Sequence, residues 1–269
     1  MMKPSQRYII LNSSLLFITA QIIEMTLHEF GHFFAAIFVH AQQITLHHNY
    51  TSNIGDGLSQ ADFILIKSAG PVVSLILGAI FHWLCSVRTR RDSLQLFSAY
   101  MSVNGYIGFF AYLIIAPFLP NSDTGYVCFA LGSPVWSIWL IAIAGGTAIY
   151  FLINCLMKYF VQMGPNEILE TSESRQQFIQ AIILYPLAIG IIGTTLLNLP
   201  VPVWMSLIAP ICGNLLFLCG YDSALKKPYS FKHASMEFDR FNRFQISLIV
   251  LFFLVVVMNR LLVDGIAFN

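Results

Sequence analysis

Apolar positions along this chain come in seven long blocks separated by short polar stretches. The blocks fall at about 8–39, 64–85, 94–119, 134–160, 177–197, 202–220 and 245–263. Each is long enough to cross a bilayer, whose hydrocarbon core takes about 20 helical residues. The first exceeds that length, so it either tilts or carries its last turns beyond the hydrocarbon. Between the first two blocks, 40–63 is polar, and the turn residues from Asn49 to Gly57 follow a short run from Gln42 to Leu46. That pattern predicts a small β-hairpin or a re-entrant loop. The expected fold class is therefore an all-α polytopic membrane protein of about seven transmembrane helices, with that hairpin or loop after the first. The polar segments 161–176 and 221–244 are too short for an appended soluble domain, so 1–269 reads as one integral membrane domain.

Composition agrees with the pattern. The chain has 269 residues, 57% hydrophobic and 10% charged, with a mean hydropathy of +0.71. Soluble domains carry about 25% charged residues. The lipid bilayer is thus an expected partner; nucleic acid is not, because no basic stripe with interleaved aromatics is present. Oligomeric state is left open. Five cysteines, Cys85, Cys128, Cys155, Cys212 and Cys219, lie in or beside apolar blocks without CxxC spacing and read as small buried hydrophobes. The N-terminal block reads as a retained span and not a cleaved signal peptide, since it runs to some 30 residues without a small-residue cleavage site.

Charge placement gives an orientation. With seven spans, the N-terminus shares a side with Lys3, Arg7, Arg88, Arg90, Arg91, Lys158, Arg175, Lys226, Lys227, Lys232, Arg240 and Arg243. The other side holds only Lys67 and Arg260. The positive-inside rule then puts the N-terminus in the cytoplasm.

The chemistry lies in the first block, in Thr26-Leu27-His28-Glu29-Phe30-Gly31-His32-Phe33. Ionisable groups at membrane depth cost about 2.5–3.5 kcal/mol each on insertion scales. On a helix His28 and His32 lie one turn apart on one face, as a metal pair requires, and Glu29 is rotated about 100° from His28. A catalytic zinc takes three protein ligands and leaves one position to water, so a third ligand is needed near the non-cytoplasmic end of the block. Candidates on that side are Asp56, Asp62, Asp123, Asp264 and the pair His47–His48. His40 is about 12 Å farther along the helix, and a metzincin histidine would fall at position 38, which is Phe38. Asp123 is the best placed, in a Pro- and Gly-containing break after the third block, where a helix-ending turn is the competing reading. Glu24, one turn before His28, suits either a second-shell partner of a ligand or a contact with a neighbouring helix. Asn104, mid-span, suits substrate positioning or, more commonly, interhelical hydrogen bonding.

His28-Glu29-Phe30-Gly31-His32, Ala69-Gly70-Pro71 opening the second block, and Leu119-Pro120 through Asp123 and Gly125 together resemble the site-2 protease family of intramembrane zinc metalloproteases. The resemblance covers residues 20–130 and is that of a divergent member without a regulatory domain. It implies a metalloprotease-like core over 8–130, with 131–269 as additional transmembrane helices. It also implies one zinc ion held by His28, His32 and Asp123, with Glu29 as catalytic base. Three departures are visible: Ser74 stands where the family often has asparagine, Thr124 separates Asp123 from Gly125, and the charge count puts the site near the non-cytoplasmic face whereas family members typically open toward the cytoplasm. The implied activity is hydrolysis of a peptide bond in or near a transmembrane segment of a protein or membrane-associated peptide, by zinc-activated water with Glu29 accepting its proton. The competing classes are a non-proteolytic zinc scaffold and a metal transporter.

Overall fold

A computed structural model describes residues 4–201, 205–227, 229 and 241–268. The chain is 75% helical with one small sheet. Helix α1 (Pro4–Phe38) is followed by strands β1 (Gln42–Leu46) and β2 (Thr51–Ile54), then α2 (Gln60–Val87), α3 (Ser93–Ile115) and the short α4 (Asp123–Ala130). After α5 (Val135–Val161) come α6 (Asn166–Leu169), α7 (Ser172–Ile179), a π-turn (Gln180–Leu184) and α8 (Tyr185–Leu197). Next are α9 (Met205–Leu215), a 3-10 turn (Leu216–Gly220) and α10 (Tyr221–Lys226). The chain closes with α11 (Ile246–Leu261) and β3 (Ile266–Phe268).

Among the described residues five helices are long and apolar enough to cross a membrane: Gln6–Phe38, Gln60–Val87, Ser93–Ile115, Val135–Val161 and Ser172–Leu197. This corrects the expected count of seven. The sixth apolar block, 202–220, does not form one α-helix. α9 runs through Pro210 to Leu215 and there tightens into the 3-10 turn; residues 202–204 lie outside the described residues. The seventh block yields α11, whose 16 residues rise about 24 Å, short of a hydrocarbon core of about 30 Å. In its last turn Arg260 donates to the carbonyls of Leu197, which ends α8, and Leu199, just beyond it.

The expected hairpin is present. β1 and β2 pair antiparallel, with Thr45 opposite Ser52 and Leu46 opposite Thr51. The sequence pattern did not foretell the third strand: β3, from the far end of the chain, pairs with the other edge of β1, giving the order β2-β1-β3.

The core is built on α1, whose most apolar window is 67% buried, against 28% for α2. It packs against α2, α3, α8 and α11. Phe17 anchors this core, its ring 5.3 Å from Tyr100 and 6.2 Å from Phe217. Pro186 has no N–H to offer the carbonyl of Ile182, and the Tyr100 hydroxyl donates to that carbonyl instead, at 2.5 Å.

Hydrogen bonds gather the loops into two groups. Asn12 Nδ2 donates to Phe241 and Arg243 carbonyls, Gln6 to Gln177, and Ser93 to Gln245. At the other group, His48 and Asn49 side chains meet the Asn198 carbonyl, and the His48 backbone donates to Leu262. α11 therefore runs from one group to the other despite its length.

Candidate metal centre

His28 and His32 face the same side of α1 with ring centroids 4.9 Å apart. Asp123 reaches them from α4. Pro117 and Pro120 follow the last turn of α3, and Ser122 caps α4 by accepting from the Gly125 N–H at 3.2 Å, so Asp123 opens the new helix. A side chain at Gly125 would strike the Leu119 carbonyl, so this turn needs glycine there.

Three atoms converge. His28 Nε2 and His32 Nε2 are 3.1 Å apart, and Asp123 Oδ2 lies 3.5 Å from the first and 3.3 Å from the second. Donors about 2.0–2.1 Å from a tetrahedral ion are about 3.3–3.4 Å from one another, so the triangle has the size of one small divalent cation's ligand set. Glu29 Oε lies within 4.8 Å of both histidine donors, and the buried group His28–Glu29–His32 could hold a metal ion.

The other ring nitrogens say what the converging atoms carry. His32 Nδ1 sits 2.7 Å from the Ile66 carbonyl, which only accepts, so Nδ1 is the protonated nitrogen. His28 Nδ1 sits 2.9 Å from Ser74 Oγ, and the Ser74 hydroxyl spends its proton on Glu24 Oε1 at 2.5 Å. His28 Nδ1 is therefore a donor as well. Both Nε2 lone pairs then point at each other and at a carboxylate oxygen. A proton can relieve one edge of that triangle, whereas one divalent cation relieves all three.

One face of α2 backs every donor. Ile66 holds His32, Ser74 holds His28, and Lys67 Nζ holds the second oxygen of Asp123 at 3.3 Å. Gly70 lies between them: a Cβ there would sit 2.6 Å from His28 Nε2 and closer still to His32 Nε2, in the space between the ligands. Positions 66, 67, 70 and 74 span an arc of about 100° on a helix. The Tyr112 ring of α3 stacks on His28 at 5.5 Å.

Glu29 is held from the hairpin. Thr51 Oγ1, at the start of β2, lies 3.1 Å from Glu29 Oε2 and 3.0 Å from its backbone carbonyl. His28, Glu29, His32 and Asp123 are each 5–8% exposed, which keeps bulk water from the cluster.

The remaining candidates are engaged elsewhere. Asp62 closes a capping box with Ser59 at the start of α2, and Asp56 and Asp264 are exposed. His47 stacks on Tyr50 at 4.1 Å, while His48 Nε2 donates to Asn198 at 2.9 Å. Burial pushes the His48 imidazole below its ordinary value, and Arg260 and His47 add to this against the opposing Asn198 hydrogen bond. Glu24 joins the cluster through Ser74. Asn104 does not reach it: it is buried two turns before Tyr112, about 12 Å along α3, and its Nδ2 has no hydrogen-bond partner among the described residues.

Sequence reasoning missed the roles of Thr51, Lys67, Gly70 and Tyr112. Lys67 carried a signal, as a cation inside an apolar block; the other three are residue types that membrane helices and hairpins use freely.

No family model matches this chain, and no curated protein or solved structure matches it.

Proposed function

We propose that this protein is an intramembrane zinc metalloprotease related to the site-2 proteases, cutting a peptide bond in or near a transmembrane segment. The triangle of His28 Nε2, His32 Nε2 and Asp123 Oδ2 carries this reading, because three converging donors leave one side of a four-coordinate ion open. Those three residues would hold the ion. Zinc, when bound, supplies the positive charge that makes water a nucleophile near neutral pH and polarises a carbonyl. Glu29 takes the proton from the attacking water and returns it to the leaving amine, and the Thr51 hydroxyl keeps its carboxylate aimed. Lys67 ties back the other oxygen of Asp123.

The substrate must arrive unwound, because a helix hides its carbonyls in i to i−4 bonds. Among the described residues β2 pairs only with β1, which leaves its outer edge to accept an extended segment, and Thr51 links that edge to Glu29. The multi-pass reading rests on the five long helices and on the two groups of loop contacts. Arg175 donates to the carbonyls of Ala224 and Lys227, and Asn12 to that of Arg243, so these cations stay with the N-terminal side although only five helices are long; the charge asymmetry then supports a cytoplasmic N-terminus with the cluster near the opposite face.

The test is Glu29→Gln in purified full-length protein, with zinc content measured beside cleavage of a transmembrane peptide carrying a Pro-Gly pair. The variant is expected to keep one zinc and lose all cleavage. A variant that cleaves, or a zinc-loaded wild type that cleaves neither this peptide nor a stiff helical one, overturns the protease reading and leaves a scaffold or a carrier.

A further inference from the structure

Glu24 is a carboxylate 7% exposed inside the longest helix, and among the described residues no direct hydrogen bond joins it to His28, His32 or Asp123. It accepts a hydrogen bond from Ser74 Oγ at 2.5 Å, and that hydroxyl lies 2.9 Å from His28 Nδ1. Ser74 is fully buried. α3 makes room for the pair: a Cβ at Gly108 would lie 2.8 Å from Ser74 Oγ and would also strike Glu24 Oε1.

A serine hydroxyl can donate or accept, so alone it leaves the His28 tautomer undefined. Donating to His28 Nδ1 would put the imidazole proton on Nε2, which then could not bind a cation. An acceptor behind the serine removes the choice. With the hydroxyl proton committed to Glu24, Ser74 can only accept from Nδ1, and Nε2 is left as a lone pair. We propose that Glu24 and Ser74 form a one-way hydrogen-bond relay that fixes His28 in its Nδ1–H tautomer and so makes Nε2 a metal ligand. His32 needs no such relay, because a backbone carbonyl is an acceptor by nature. This explains why a costly buried carboxylate accompanies one histidine and not the other. Glu24 is thereby a positioning residue that acts through Ser74.

The inference rests on the zinc reading of the site but not on proteolysis, and the experiment separates them. Zinc affinity is measured by chelator competition in full-length wild type, Ser74→Ala, Glu24→Gln and the double variant, with cobalt absorption spectra as a second readout. Loss of the bond behind a ligand histidine costs about 10–100-fold in affinity. Ser74→Ala is expected to show that loss, and Glu24→Gln a smaller one. Because Glu24 acts through the hydroxyl, Glu24→Gln should cost nothing further in the Ser74→Ala background, whereas two independent packing roles would multiply. Ser74→Thr, which keeps the hydroxyl, should restore affinity; Ser74→Cys, near in volume but a poor acceptor, should not, and it serves if the alanine variant does not fold. Unchanged affinity in Ser74→Ala or Ser74→Cys, or multiplying losses, overturns the relay alone. A wild type that binds zinc without cleaving any peptide removes the protease and keeps the relay. A wild type that takes up no zinc overturns both.

Discussion

Gly70→Ala asks whether the space between the histidines is a metal site. The added methyl would lie 2.6 Å from His28 Nε2 and nearer to His32 Nε2, where ordinary contact is about 3.4 Å or more. Both rings must retreat by about 1 Å, which breaks their shared ligand distance and stretches the Nδ1 bonds to Ser74 and Ile66. Four-ligand zinc sites bind with about 10–16 kcal/mol, so each ligand carries about 3 kcal/mol. Displacing two costs about 6 kcal/mol, or about 10⁴-fold in affinity. Alanine in a helix is otherwise better than glycine by about 0.5–1 kcal/mol, which offsets part of the methyl's crowding in metal-free protein. Gly146→Ala is the control: it lies in α5, and the nearest atom to its Cβ, on Ile114, is 4.0 Å away. The assay is zinc competition with a chelator, beside thermal unfolding in excess chelator. Gly70→Ala should lose zinc while Gly146→Ala keeps it, with both folded. Wild-type zinc affinity in Gly70→Ala would refute the reasoning, because the methyl and the ion claim one volume.

Asp123→Ala removes the only carboxylate oxygen among the described residues within 3.5 Å of both histidine donors, and zinc affinity should fall by about 100-fold on the same per-ligand scale; an unchanged zinc content would mean that Glu29 is the third ligand. Tyr100→Phe leaves the Ile182 carbonyl without its donor beside Pro186, and should lower thermal stability by about 1–3 kcal/mol without touching zinc content. His48 clasps the hairpin to the end of α8 as a neutral ring with a depressed affinity for protons. Its contribution is complete above the ordinary value of 6.5 and is lost as pH falls below it, because the unfolded ring takes up a proton first. Hydrogen exchange over 42–54, corrected for the intrinsic rate, should therefore quicken as pH falls below 6.5, and His48→Asn should flatten that dependence; pH-independent protection in the wild type would be the contrary result.

Much of the fold was legible because long apolar runs have few solutions. Helices α1, α2, α3, α5 and the α7–α8 rod follow the apolar blocks. The hairpin was legible from its turn residues. What misled was treating apolar content as helix continuity. Block 202–220 is apolar throughout, yet its α-helix ends at Leu215 and gives way to a 3-10 turn over Leu216–Gly220. β3 was illegible because three residues carry no period, and they become a strand only where β1 offers an edge 220 residues earlier in the chain.

The site divides the same way. His28, Glu29 and His32 could be read because local spacing on one helix is geometry. Asp123 could be placed only by which side of the membrane it shares, and its link to the histidines is made by the Ser122 cap. The backing face of α2 could not be read, since Ile66, Gly70 and Ser74 act through a carbonyl, an absence and a hydroxyl, none of which stands out from packing residues. Charge nevertheless joins the parts. In ionised form Glu24, Glu29 and Asp123 bring three negative charges into a buried cluster, and Lys67 returns one. With both imidazoles neutral, two remain uncompensated where each is costly. A divalent cation between His28, His32 and Asp123 cancels them. Without the ion the same balance requires protons on two of these groups, so metal uptake should release protons from the cluster.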